Sequence, residues 1–120
     1  MGALRPRLHP DRFGIVRTDA ALPDSVTPFA LVREREGLTV IAGAEALETA
    51  GIAPGPPYAL VSLDLESALD CVGLTAAFST ALAAAGIACN VIAGFHHDHL
   101  LVPWERRAEA TDILDRLEFS

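Results

Sequence analysis

The residue types best suited to bind a small molecule lie in one short segment, Asp70-Cys71-Val72-Gly73-Leu74-Thr75. It precedes an apolar helical pattern, so its backbone N–H groups would lie at a helix N-terminus, which attracts anions such as a ligand carboxylate. Gly73 would let the backbone approach the ligand closely. A bound amino group would need an acidic partner, and Asp70 and Glu66 are the nearest candidates. The alternative is a plain connection in which Thr75 or Asp70 caps the helix.

A second segment, His96-His97-Asp98-His99, has the side chains of a zinc site. In an extended chain His97 and His99 point to one side, so one face offers two ligands, whereas zinc takes three or four from the protein. We therefore expect no metal or other cofactor, with His97 and His99 as the weaker metal-binding alternative. The favoured prediction is a hairpin turn in which Asp98 accepts backbone N–H bonds. A role in dimer contacts or in a neighbouring ligand site is a third alternative.

Catalytic arrangements are less well supported. Ser79 and Thr80 fall within a helical pattern, not in a nucleophile elbow. Cys71 near a helix N-terminus could be activated, but a catalytic Cys–His pair needs a third, orienting group that the sequence does not identify. We therefore predict that the chain is not an enzyme.

Apolar periodicity indicates which elements must position these residues. The predicted strands are residues 13–18, 29–34, 38–42, 58–65, 87–95 and 100–102, and the predicted helices are 43–50, 74–85 and one that begins near Pro103. Strand 58–65 alternates and is predicted to be half-buried, whereas strand 87–95 is predicted to be a buried strand. Residues 20–28 read as a turn or short helix.

The order of these elements predicts an α+β fold. Residues 58–120 read as strand, helix, strand, strand, helix, which is the ferredoxin-like pattern without its last strand. The first half is similar but shorter, so an incomplete first module is expected. We predict a loose arm over 1–11, an N-terminal module over 12–57 and a C-terminal module over 58–120, each with an antiparallel sheet and helices on one face. Strand 13–18 or the end of a partner chain would supply the missing strand.

Three motifs resemble the ACT domain family, and more narrowly its small bacterial tandem proteins. They are Glu36-Gly37-Leu38-Thr39, Val72-Gly73-Leu74-Thr75-Ala76-Ala77 and His97-Asp98-His99, within a resemblance over about residues 29–117. The resemblance implies a βαββαβ regulatory fold, commonly assembled side by side. It also implies binding of amino acids or similar metabolites at module interfaces, seldom with catalysis.

The strand after the central helix adds two candidate ligand contacts, Asn90 and Ile92. Asn90 is the only asparagine in the chain, and a buried amide there must bond either a ligand or a neighbouring backbone. The predicted ligand-binding residues are Glu66, Asp70, Cys71, Val72, Gly73, Leu74, Thr75, Asn90 and Ile92.

The composition limits the classes of partner that we expect for this chain. The 120 residues have a net charge of −7, and all nine basic residues are arginines, which excludes lysine chemistry and argues against nucleic acid. Residues 73–95 contain no charged side chain and are long enough to span a bilayer. Their weakly apolar alanines and the polar Ser79, Thr80 and Asn90 favour a buried helix and strand over a membrane helix.

These observations lead to one functional expectation with two alternatives. We expect a cytoplasmic regulatory protein that binds an amino acid or similar small molecule, forms a homodimer through unpaired strand edges and has reduced cysteines. The first alternative is an interaction module without a ligand. The second is a metal- or thiol-dependent enzyme that uses His97, His99 or Cys71.

Overall fold

The structure is a computed structural model in which residues 2–65 and 73–119 are described. The chain forms two compact units: the N-terminal unit, residues 11–58, and the C-terminal unit, residues 1–10 together with 59–120. The elements in chain order are β1 (Gly2–Ala3), β2 (Pro6–Thr18), β3 (Ala30–Glu34), β4 (Gly37–Gly43), α1 (Ala44–Thr49), β5 (Tyr58–Leu63), α2 (Leu74–Ala84), β6 (Asn90–Ala93), β7 (Asp98–Pro103), a 3₁₀ turn (Trp104–Arg106), α3 (Arg107–Arg116) and β8 (Glu118–Phe119). The predicted α+β class with antiparallel strands is confirmed.

In the N-terminal unit, β4 lies between β3 and the second part of β2 and pairs antiparallel with both. The β3–β4 hairpin turns at Arg35 and Glu36, and Gly37 begins β4 opposite Glu34 with a φ of +155°, which side-chain-bearing residues rarely adopt. A central strand is covered by neighbours, and residues 40–42 are accordingly buried. One buried apolar cluster of this unit comprises Val26, Val40, Ala42 and Leu47.

In the C-terminal unit, the strands follow the order β2, β5, β7, β6, with α2 and α3 against one face of this sheet. This is the strand order of a ferredoxin-like module, with the first part of β2 in the place of the missing last strand. A separate short pair joins β1 to β8. The buried core comprises Leu4, Ala59, Val61, Leu63, Leu74, Phe78, Leu82, Ile87, Leu100, Val102, Ala110 and Leu114.

The predicted loose arm over residues 1–11 is wrong, because the structure has strand there. Leu4 is fully buried, and Leu8 packs against the same core. The backbone is also bound: Asp64 N–H donates to the Arg5 carbonyl at 3.0 Å and Leu65 N–H donates to the Leu4 carbonyl at 3.3 Å. Prolines and arginines at the start of the chain hide this strand from sequence reasoning, since proline removes a ladder donor.

Two burial predictions are also wrong. β5 is buried on both faces, because Leu60 and Ser62 are as fully covered as Ala59 and Val61. The predicted buried strand 87–95 is only Asn90–Ala93 and is largely exposed, because β6 is the last strand in the order and, among the described strands, pairs with β7 alone. An apolar run alone does not distinguish an edge strand from a central one.

The hairpin turn predicted for residues 96–99 lies two residues earlier in the structure. The turn of the β6–β7 hairpin occupies residues 94–97, and the Gly94 N–H donates to the His97 carbonyl at 2.9 Å. Asp98 and His99 already belong to β7, where they pair with Ala93 and Ile92.

Among residues 2–65 and 73–119, no helix has the length and apolarity needed to cross a bilayer.

Candidate functional site

The start of α2 is an open helix N-terminus. Gly73 is its N-cap residue, in the left-handed conformation with φ of +99°, and no side chain in the described part of the chain caps it. A Cβ atom at Gly73 would meet nothing within 4 Å. Gly73 and Thr75 are exposed, whereas Leu74 is buried in the core and anchors the first turn. The first backbone N–H groups of α2 are thus in a position to receive an anionic group.

Four of the predicted contacts, Glu66, Asp70, Cys71 and Val72, lie outside the described residues. Asn90 is exposed, so the prediction of a buried amide is wrong. Asn90 pairs with Leu101, and Ile92 pairs with His99. Since Leu100 contributes to the core under the helices and side chains alternate along a strand, Asn90 and Ile92 lie on the opposite face of the sheet. They are therefore separated from Gly73 by the thickness of the sheet.

That opposite face carries a polar cluster that the sequence did not reveal. The Ser62 Oγ lies 2.8 Å from His9 Nε2 and 2.7 Å from His99 Nδ1. Ser62 is fully buried, and the two imidazoles are partly buried. The cluster joins three strands, because His9 is on β2, Ser62 on β5 and His99 on β7. The alternation of strand 58–65 places Ser62 away from the helices, but only strand pairing identifies its partners.

The surroundings of the cluster favour a neutral His99. Burial is the main cause that lowers the pKa of His99 below its ordinary value, and the positive charges of His9, His97 and Arg7 act in the same direction, opposed by Asp98. Arg7 is itself paired with Asp64 at 3.2 Å. The backbone of Gly94 lies close to the His99 ring: a Cβ atom built on Gly94 would be only 3.2 Å from His99 Nε2.

The histidine segment belongs to no metal-ligand cluster within the part of the chain that the structure describes. Over residues 2–65 and 73–119, no group of three or more His, Cys, Asp or Glu side chains is placed to hold a metal ion. His99 directs Nδ1 to Ser62, while the Nδ1 of His97 is buried without a hydrogen-bond partner. Cys89 is likewise a poor ligand or nucleophile, because burial raises the pKa of its thiol.

A separate groove lies in the N-terminal unit. Its volume is about 370 Å³, in the range of small-molecule sites. Asp11 on β2 and Glu45 on α1 place two carboxylates in its lining, next to hydroxyl groups, and both carboxylates are exposed. The lining comprises Asp11, Ser25, Gly43, Glu45, Ala46 and Thr49.

The strands and helices form a tandem of two α+β units, and comparison with protein families agrees. A model described as ACT domain matches residues 55–116, and a second ACT domain model matches residues 1–59. The chain belongs to the ACT domain family, as its motifs suggested. A comparison with curated proteins found no match.

Solved structures give the same assignment. The crystal structure of VC0802 from Vibrio cholerae, described as a protein of unknown function and possible transport protein, is 39% identical with a TM-score of 0.89, over 98% of this chain and 91% of that one. Atu0741 from Agrobacterium tumefaciens is 19% identical with a TM-score of 0.75, over 95% and 88%. The regulatory subunit of aspartate kinase from Thermus thermophilus, in a ligand-free form, is 15% identical with a TM-score of 0.67, over 96% and 97%. The last two share the fold.

Proposed function

We propose that this chain is a non-catalytic ACT-type regulatory protein that binds an amino acid, or a closely similar metabolite, at segment 70–75. The observation that carries the proposal is the start of α2 within a module of the ACT family: no described side chain caps the helix, and a Cβ atom at Gly73 would meet nothing within 4 Å. The regulatory role is supported by the shared fold of the aspartate kinase regulatory subunit.

The chemistry of the site follows from its residue types. The ligand carboxylate would bind the first N–H groups of α2, where the helix dipole favours negative charge. The ligand amino group would bind the carboxylate of Asp70, with Glu66 as the other acidic neighbour. Cys71 and Val72 would line the loop, and Thr75 would contribute its exposed hydroxyl to the same end of the helix.

A homodimer is the second part of the proposal, because in a homodimer Asn90 and Ile92 of one copy could contact the ligand of the other copy. Both residues lie on the exposed edge strand β6, on the face away from α2, so a neighbouring copy would bring them to a ligand. The β6 hairpin also exposes Val91 by 40% and Phe95 by 79%. Residues 73–95 carry no charge, so pairing of this edge with a second copy meets no repulsion between like charges. We place this protein in the cytoplasm.

Regulation would operate through linkage. A ligand that binds one arrangement of the two copies more tightly shifts the population toward that arrangement. An interaction module without a ligand is the competing function, and it is favoured by the exposed apolar residues on both edge strands, Leu31 and Val32 on β3 and Val91 on β6.

A thermal-shift screen with each of the twenty amino acids tests the proposal. A ligand at about 100 times its dissociation constant stabilises a protein by about 2.7 kcal/mol. We expect one amino acid, or a small related group, to raise the melting temperature, and Asp70→Asn to abolish the shift. Glu45→Gln, in the groove of the N-terminal unit, is the matched control and should retain it.

Two outcomes would contradict this assignment. If no amino acid shifts the melting temperature while the chain sediments as a dimer, the interaction module is the better function. If Glu45→Gln removes the shift and Asp70→Asn keeps it, the ligand binds the groove of the N-terminal unit instead.

A further inference from the structure

The buried hydroxyl of Ser62 connects the imidazoles of His9 and His99 in the C-terminal unit, and this hydroxyl has only one hydrogen to donate. Ser62 Oγ has a single hydrogen, so it donates to one ring nitrogen and accepts from the other. Ser62 is fully buried, so its hydrogen cannot turn to solvent without leaving a buried polar group unpaired. If both facing nitrogens carry a hydrogen, Oγ accepts from both and the buried Ser62 hydrogen has no acceptor left in this chain of bonds.

The direction of this chain of bonds depends on which nitrogen of neutral His99 carries the hydrogen. The causes that lower the pKa of His99 favour its neutral form. In the tautomer with hydrogen on Nε2, His99 Nδ1 accepts from Ser62 and His9 Nε2 donates to Ser62. His9 can become an imidazolium without breaking the chain, because its Nε2 already carries hydrogen. In the same tautomer, a proton on His99 Nδ1 removes the acceptor that the Ser62 hydroxyl has in this chain of bonds.

We propose that the His9–Ser62–His99 chain is a pH-sensitive lock, which holds the first part of β2 against β5 and β7 while His99 is neutral and weakens when His99 is protonated. The proposal is independent of amino-acid binding. It concerns a segment that is also attached by Leu4 and Leu8 in the core, by the Arg7–Asp64 pair and by backbone bonds to β5 and Leu65. Mild acid would loosen residues 1–10 first, because the lock joins His9 on β2 to side chains on both β5 and β7.

The charged groups around His99 act together in this response. His9 and Arg7 on β2 and His97 in the hairpin turn add positive charge, and Asp98 on β7 adds negative charge. Asp64 on β5 is paired with Arg7. Ile92, opposite His99 on β6, is uncharged. The cationic neighbours outnumber the carboxylates, so a second proton is disfavoured.

The sign of the pH dependence can be stated. The pKa of His99 in the folded chain lies below the ordinary imidazole value of about 6.5. Between these two values the unfolded chain binds more protons, so the folded state loses stability as pH falls. The stability that neutral His99 contributes is complete at pH values above the ordinary imidazole pKa. It is lost as the pH falls toward the pKa of His99 in the folded chain.

The experiment compares the unfolding equilibrium constant at about pH 7.5 and about pH 5.5 in three full-length chains: wild type, His99→Gln and His96→Gln. Glutamine keeps an acceptor for Ser62 but does not titrate, so His99→Gln should reduce the rise of the constant on acidification, by up to about tenfold per pH unit for one proton. His96 is exposed and lies outside the lock, so His96→Gln should behave as wild type.

A second measurement holds even if His99→Gln folds poorly. In wild type, the His99 imidazole resonance should titrate below about pH 6.5 by NMR, together with chemical-shift changes in residues 6–10. The lock is overturned if His99→Gln keeps the full pH dependence of wild type, if His96→Gln removes it, or if His99 titrates at its ordinary value with no response in β2.

Discussion

A Cβ atom at position 14 would lie 2.5 Å from the carbonyl oxygen of Pro54. Gly14 is on β2, and Pro54 belongs to the Pro-Gly-Pro-Pro connection that leads out of the N-terminal unit. The connection thus packs directly on the strand, and the absence of a side chain at Gly14 is what makes this approach possible. A backbone oxygen in a proline-rich segment has little freedom to move away.

Gly14→Ala should therefore destabilise the chain, by about 1–3 kcal/mol, because overpacking forces a backbone shift. Gly43→Ala is the control, since a Cβ there meets nothing within 4 Å and only the weaker N-cap preference of alanine remains, a change below about 1 kcal/mol. Chemical denaturation of both variants measures the difference. Equal stability of the two would show that Pro54 does not constrain β2.

Leu4→Ala tests whether the start of the chain belongs to the core. Leu4 is fully buried, so its truncation should lower the free energy of unfolding by about 2–5 kcal/mol. Leu31 on β3 is 52% exposed, and Leu31→Ala should lower it by no more than about 1 kcal/mol. If the two variants unfold at the same denaturant concentration, residues 1–10 are not part of the folded unit.

Arg106→Ala tests a side chain that stabilises the end of α2. One Arg106 Nη2 donates to the Ala85 carbonyl at 2.9 Å and to Glu109 at 2.7 Å, so it neutralises the negative end of the helix. Its loss should lower stability by about 1 kcal/mol. Arg116→Ala removes an exposed pair with Asp112 and should change stability by less than about 0.5 kcal/mol. Identical melting curves for the two variants would contradict this role.

The thiol of Cys89 should react slowly with iodoacetamide. Burial raises the pKa of this thiol, so little reactive thiolate exists near neutral pH. The Cys71→Ser variant leaves Cys89 as the only cysteine, and mass spectrometry follows its alkylation. Unfolding the variant in guanidinium should accelerate the reaction, and equal rates in the folded and unfolded states would show that Cys89 is not protected.

The sequence by itself determined the kinds of elements and the family. The stripe of apolar residues beginning at Leu74 predicts α2 because helical spacing is a local property, and Gly86 marks its end in the same way. The motif around Gly73 identifies the ACT domain, and Gly37 predicts the hairpin turn. Each of these signals depends on residues within about two helical turns of one another.

The tertiary structure decided which strands are neighbours, and therefore which residues meet. Nothing local distinguishes β6, exposed at Asn90, from a buried strand, because exposure depends on whether a second neighbour is present. In the sequence, residues 1–11 resemble a free arm. In the structure, Leu4 packs into a buried core whose other fully buried residues lie more than fifty positions away in the chain. The contact of His9 and His99 through Ser62 is of the same kind, since hydrogen bonds between strands depend on register and not on nearness in sequence.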